Sequence, residues 1–92
     1  MIIIWSNEAR VSYDNTIDDL IENWQIEIVL DFEKRTNNLL DHLREHKKFC
    51  PPSKKSNLRK CVIHKNSSLI YKINQANIEL VTFVDNRTNH MF

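Results

Sequence analysis

Three runs decide how this chain folds: Asn57-Leu58-Arg59-Lys60-Cys61-Val62-Ile63-His64-Lys65, Ser68-Leu69-Ile70-Tyr71-Lys72-Ile73, and Ile78-Glu79-Leu80-Val81-Thr82-Phe83-Val84-Asp85-Asn86-Arg87. Each is short, rich in β-branched and aromatic residues, and separated from the next by asparagine and small polar residues, which is the pattern of strands joined by tight turns. The predicted strands are Leu58–Lys65, Ser68–Ile73 and Ile78–Asp85. In the second, Leu69, Tyr71 and Ile73 alternate with Ser68, Ile70 and Lys72, as a strand with one buried face requires. In the first, Arg59, Cys61, Ile63 and Lys65 oppose Leu58, Lys60, Val62 and His64, and both sets are mixed. The third carries Leu80, Val81, Phe83 and Val84 on both faces, which predicts a central strand.

Upstream of these runs the period changes. Tyr13, Ile17, Leu20 and Trp24 recur at spacings of four, three and four, an amphipathic helix predicted over about 7–22. Val29, Phe32, Leu39, Leu40 and Leu43 mark a second helix over about 25–46, separated from the first by a break at Asn23. So short a connection predicts two antiparallel helices. Ser6 is placed to cap the first helix with its hydroxyl, and Glu8 lies at the positive end of that helix dipole. Before it, Ile2-Ile3-Ile4-Trp5 reads as a strand buried on both sides. Phe49-Cys50-Pro51-Pro52 ends the second helix, because proline supplies no amide and disfavours a helical predecessor. The predicted order is β-α-α-β-β-β, an α+β domain spanning residues 1–92 with a helical hairpin packed on a small, mainly antiparallel sheet.

Charge divides the chain in two. Residues 1–46 carry ten acids against four bases; residues 47–92 carry nine bases against Glu79 and Asp85. A net charge of +1 conceals this contrast. A basic C-terminal half fits a polyanion or an acidic partner; lysines guarding sheet edges would give the same balance. At 41% hydrophobic and 27% charged residues, the composition is that of a folded chain and not of a disordered one. The opening apolar run is too short to span a membrane and no charged segment precedes it, so a cytoplasmic protein is expected. Cys50 and Cys61 lack the spacing of a zinc site, and a reduced pair is expected. Glycine is absent. Positive-φ positions must then fall to asparagine, and Asn66, Asn74 and Asn77 stand where the hairpins turn. His42 and His46 lie at i, i+4 on one helix face, a metal-compatible spacing, but no third ligand and no general base accompanies them. Two solvated histidines at a helix C-terminus are the expectation, with no metal and no cofactor.

In order and motif the chain resembles the RelE/ParE superfamily of bacterial type II toxin–antitoxin toxins. The resemblance covers essentially all of it. Its residues are the opening Ile-Ile-Ile-Trp-Ser-Asn-Glu-Ala of positions 2–9, Glu22-Asn23-Trp24, Asn57-Leu58-Arg59-Lys60, Ser68-Leu69-Ile70-Tyr71-Lys72-Ile73 and Phe83-Val84-Asp85-Asn86-Arg87-Thr88-Asn89. The closing Asp-x-Arg-x-Asn is similar to the ParE-like branch, although His90 stands where that branch often has proline.

The resemblance implies a cognate antitoxin and one of two activities. ParE-like members poison DNA gyrase without being nucleases; here the contact cations implied are Arg59, Lys60, Lys65 and Arg87. RelE-like members cut mRNA on the ribosome, which needs a base for the 2′-hydroxyl, an acid for the leaving oxygen and cations for the phosphate. The RelE-like branch keeps an arginine where this chain has Ser68, and a hydroxyl cannot offset phosphate charge. Arg87, His90 and His64, with Arg59 or Lys65 as phosphate clamp, are the residues from which an alternative nuclease site would be built. An inactive or purely interaction-mediating member is the third possibility. For Arg87 the competing role is a structural pair with Asp85 or a helix acid; Tyr71, Trp5 and Trp24 are expected to pack.

Overall fold

A computed structural model describes residues 1–88 and 90–92. It contains β1 (Ile2–Trp5), α1 (Asn7–Asn23), α2 (Ile26–Glu45), β2 (Arg59–His64), β3 (Ser67–Ile73) and β4 (Asn77–Asp85), in the predicted order. The four strands form one sheet in the order β1-β4-β3-β2. The pairs β2–β3 and β3–β4 are antiparallel hairpins; β1 runs parallel to β4, with Ile2 opposite Asn77 and Trp5 opposite Leu80. A parallel pair needs a long crossover, and the intervening helices and hairpin supply it. The strand predicted to be central is internal, as the apolar character of both its faces requires.

Between β1 and α1 the chain turns on one residue. The Ser6 amide donates to the Leu80 carbonyl at 3.1 Å, its hydroxyl donates to the Val81 carbonyl at 2.9 Å, and the same oxygen accepts from the Ala9 amide at 2.9 Å. Ser6 thus caps α1 while extending the β1–β4 ladder by one rung. Val81 is the extra residue of a bulge, since Ile70 pairs with Thr82 and Tyr71 with Leu80. Beyond it the Phe83 amide donates to the Ser12 hydroxyl at 2.8 Å, so α1 satisfies the edge of β4 where β1 has ended.

The helices cover one face of the sheet. Ala9 and Leu20 of α1 and Val29, Phe32, Leu40 and Leu43 of α2 pack on Leu69, Tyr71, Ile78, Leu80 and Phe83. Tyr13 lies 5.1 Å from Phe83 and 5.8 Å from Phe32 between ring centroids, and Trp5 lies 5.7 Å from Phe83, an aromatic cluster that joins both helices to the sheet. Thr36 is buried on the α2 stripe because its hydroxyl donates to the Phe32 carbonyl one turn back, at 2.8 Å.

Four expectations are corrected. First, β1 is an edge strand and not buried on both sides: Ile3 and Trp5 face the core while Ile2 and Ile4 are exposed. Second, Trp24 is the C-cap of α1 and stands exposed instead of continuing its stripe. Third, among the described residues the positive φ falls on Asn57, at 66°, and not on the hairpin asparagines. The β3–β4 turn closes by other means, with Asn74 donating from its amide to the Asn77 carbonyl and from its side chain to the Asn77 side-chain oxygen, both at 2.8 Å. Fourth, Cys50 and Cys61 are joined in a disulfide instead of standing reduced. Pro51 and Pro52 lay the chain back along β2, where Lys60 donates to the Pro51 carbonyl at 3.1 Å and Pro52 bridges to Arg59. That pairing brings the two Cα atoms to 5.3 Å, within the range a disulfide requires.

Candidate target-binding surface

Strand alternation sends neighbouring residues of β2 and β3 to opposite faces, and this separates the cations that the sequence groups together. Arg59 pairs with Tyr71 across the β2–β3 ladder. The Arg59 guanidinium turns into the loop after α2, where Nη1 donates to the Cys50 carbonyl at 2.6 Å and to the Lys48 carbonyl at 3.4 Å. Tyr71 is fully buried, and its hydroxyl donates to the Lys47 carbonyl of the same loop at 2.7 Å. Burial raises the pKa of that hydroxyl, against the Cys50 backbone and the Arg59 charge, which act to lower it. Tyr71 is therefore core, with its polar tip spent on holding the loop.

Lys60 pairs with Ile70 on the face away from the helices. Ile70 is fully buried although it lies outside the core under the helices. The end of the chain runs along this side. The Phe92 carbonyl accepts from the Lys54 amide at 3.2 Å, and the Lys55 ammonium stands 3.4 Å from the Met91 sulfur and 5.6 Å from the centre of the Phe92 ring. His90 belongs to the same group. Desolvation lowers its pKa first, then the charges of Lys60 and Lys54, with Asp85 opposing them. Ser68, at the position of the missing arginine, is fully buried and donates to the Asn86 side-chain oxygen at 2.9 Å. The site is closed to a longer side chain as well as uncharged.

At the far end of β4, Arg87 is engaged by acids. Its Nε and Nη2 meet both oxygens of Asp85, at 3.0, 3.2 and 2.7 Å, and Nη2 lies 3.7 Å from the Asp19 carboxylate of α1. The Arg87 hydrogen bonds hold the Asp85 carboxyl below its usual value, and the same contact raises Arg87. Asn89, which completes the Asp85-x-Arg87-x-Asn89 motif, lies outside the described residues. Lys65 is exposed in the β2–β3 turn, and His64 has a buried Nδ1 without a hydrogen-bond partner.

Of the six residues singled out by sequence, the structure thus brings Lys60 and His90 together, and Lys54 and Lys55 join them. Arg59 is held by backbone carbonyls and Arg87 by carboxylates. Among the described residues neither Lys60 nor Lys65 has an ion pair, whereas Lys72 pairs with Glu79 at 3.6 Å. Two surface features escaped the sequence reading. A cleft of about 270 Å³ opens between α1 and the sheet, lined by Thr16, Asp19, Trp24, Ser67, Phe83 and Arg87. Beside the β2 edge, Phe49 and Val62 are 59% and 70% exposed, with the His42 ring 4.2 Å from Phe49 and 4.7 Å from His46. Only the departure of Phe49 and Val62 from any buried stripe could have signalled the second.

No family model matches the chain, and no curated protein matches it by sequence. Solved structures do. A toxin–antitoxin structure described as the chromosomal ParDE system from P. aeruginosa superposes with a TM-score of 0.74 at 12% identity, over 92% of this chain and 95% of that one. This chain has the RelE/ParE toxin fold. A copper-bound mutant toxin from Helicobacter pylori agrees, with a TM-score of 0.68 at 15% identity over 95% of this chain and 96% of that one. Both superpositions cover more than nine-tenths of this chain and of the structure it matches.

Proposed function

We propose that this protein is the toxin of a type II toxin–antitoxin module, that it acts in the ParE-like manner on DNA gyrase as a non-enzymatic poison, and that a cognate antitoxin neutralises it. The toxin role is supported by near-complete superposition on the ParDE structure, and the antitoxin partner by the description of that structure as a toxin–antitoxin system. The observation that favours binding over RNA cleavage is Ser68. It is buried and bonded to Asn86, and the arginines that could replace its missing charge are occupied elsewhere, Arg59 by the Cys50 and Lys48 carbonyls and Arg87 by Asp85 and Asp19. A poison needs only a stable surface of complementary charge, and Lys65 supplies an exposed cation and Lys60 a half-buried one. Purified toxin added to gyrase should block supercoiling and trap a cleavage complex; unimpaired supercoiling with no trapped complex excludes gyrase as the target.

One observation supports the ribonuclease reading. Desolvation, followed by the charges of Lys60 and Lys54, lowers the pKa of His90, and this shift favours the neutral imidazole that a general base requires. Expression of the toxin would then produce codon-linked cuts in messenger RNA that disappear in His90→Ala; primer extension showing intact messages removes this alternative.

A further inference from the structure

The disulfide lies beside Arg59, one of the cations the sequence offers for target binding. Arg59 spends Nη1 on the carbonyls of Cys50 and Lys48, which are neutral, so its charge is turned inward without being cancelled. Among the described residues no carboxylate pairs with it. Arg87 differs, since two acids hold it. Cys50, whose carbonyl accepts from Arg59, is bonded through its sulfur to Cys61, two residues along β2 from Arg59. Around it the loop is tied to the sheet by hydrogen bonds alone: Tyr71 to the Lys47 carbonyl, Lys60 to the Pro51 carbonyl, and the Pro52–Arg59 bridge. His46, Lys47, Lys48 and Phe49 are all exposed.

We propose that the Cys50–Cys61 pair is a thiol–disulfide control on Arg59, and that reduction releases the guanidinium to contact a phosphate of a DNA duplex. This inference rests on the reading of Arg59 as a target-binding cation. The step balances with a dithiol as reductant. Its thiolate attacks the Cys50 sulfur, the S–S bond breaks and the Cys61 thiolate leaves; the second thiol then closes the reagent into a cyclic disulfide and displaces Cys50. Two electrons pass from the dithiol, and both cysteines take up protons to become thiols. Both sulfurs lie in buried residues, so attack follows local opening of residues 46–50. In the reduced chain the 46–50 segment loses its covalent tie, and the carbonyls that hold Arg59 can then move away from it together with the loop. The guanidinium then exchanges two neutral carbonyls for an anion, which is the stronger acceptor for a charged donor. Arginine has five donors in a planar fork, so it can take a phosphate in two-point contact, which Lys60 beside it cannot.

The test measures binding of a fluorescein-labelled DNA duplex by anisotropy, with the whole chain oxidised or treated with dithiothreitol and circular dichroism confirming the fold in both. Reduction should tighten binding on the order of tenfold and steepen the dependence of log affinity on log salt by roughly one unit, the signature of one added phosphate contact. The Cys50→Ser/Cys61→Ser chain should behave as the reduced protein under both conditions, and Arg59→Gln should abolish the difference between them. Equal affinity and equal salt slope in the two folded states, or no binding in either, overturns the proposal. If the duplex shows the redox difference while gyrase supercoiling is unaffected in both states, the control on Arg59 stands and the gyrase target falls.

Discussion

Reduction of the disulfide also has a thermodynamic consequence whose size follows from chain geometry. Cys50 and Cys61 are separated by 11 positions in sequence. Closing a loop of that length removes entropy from the unfolded chain equivalent to about 3 kcal/mol at 25 °C. The folded state should contribute little to the difference, because both residues sit in the core and two thiols occupy nearly the space of the bonded pair. A chain of 92 residues is expected to be stable by roughly 5–14 kcal/mol, so the reduced protein should remain folded but with a large part of its margin gone. At about 4–8 °C per kcal/mol for a domain of this size, the melting temperature should fall by roughly 12–24 °C. Calorimetric or circular-dichroism melts with and without a phosphine reductant measure this directly, and the Cys50→Ser/Cys61→Ser chain, insensitive to reductant, should melt near the reduced value. Melts of oxidised and reduced protein that superimpose would refute the reasoning, either because the pair is not bonded or because the unfolded chain is already held compact around it. A reduced protein with no cooperative transition would refute the estimate from the other side.

Three further outcomes follow from contacts described above. Ser12→Ala removes the acceptor of the Phe83 amide beyond the end of β1, and should cost about 1–2 kcal/mol by denaturant titration; an unchanged midpoint would mean that water replaces the hydroxyl at that edge. Ser68→Arg, which restores the arginine of the nuclease branch, places a charge at a fully buried position and should destabilise by about 3–5 kcal/mol without conferring RNA cleavage; a stable, cleaving variant would reverse the functional reading. Asp85 has its folded pKa held below 3.8 by Arg87, so its contribution is complete above the unfolded value and disappears as pH falls through the lower, folded one. Asp85→Asn should therefore flatten the acid limb of stability below about pH 4 and leave neutral stability within about 1 kcal/mol, the pair being exposed and screened; parallel acid limbs for the two proteins would show that Asp85 titrates normally.

The elements were legible because their signals are local. Periods of four and three in α1 and α2 and the proline pair after α2 each constrain the backbone within a few residues, and the observed boundaries of both helices fall within a residue of the predicted ones; the alternation in β3 located a strand but not its burial, since Ser68 and Ile70 are as fully buried as Leu69 and Tyr71. What could not be read depends on position within the sheet. Ile2-Ile3-Ile4-Trp5 looks like a strand buried on both faces, but its place at the edge leaves Ile2 and Ile4 in water, and nothing in four apolar residues distinguishes the two. The disulfide was missed for the same reason. Spacing alone does not reveal that Pro51 and Pro52 double back along β2, and compartment is a weaker guide than contact. Asparagine was correctly identified as the substitute for glycine, but the β3–β4 hairpin turns through a side-chain amide bond between Asn74 and Asn77, and among the described residues the left-handed conformation is used at Asn57 instead.

The basic half of the chain is where sequence and structure differ most, and the difference bears on function. Counted along the sequence, its cations form one patch. In the fold they are distributed by what they touch: Lys72 answers Glu79, Arg87 answers Asp85 and Asp19, Arg59 answers two carbonyls, and Lys54, Lys55 and Lys60 gather around His90 and the Phe92 ring. A nuclease site needs a base, an acid and a phosphate cation converging within hydrogen-bond reach of one another. Here the two arginines are held by other groups. A binding surface has no such requirement, because attraction to a polyanion depends on the summed field of cations spread over many ångströms. On the proposed reading as a gyrase poison, the dispersed charges have to meet only the second requirement. Function in this fold is therefore decided less by how many basic residues the chain carries than by which of them its own carbonyls and carboxylates have already claimed.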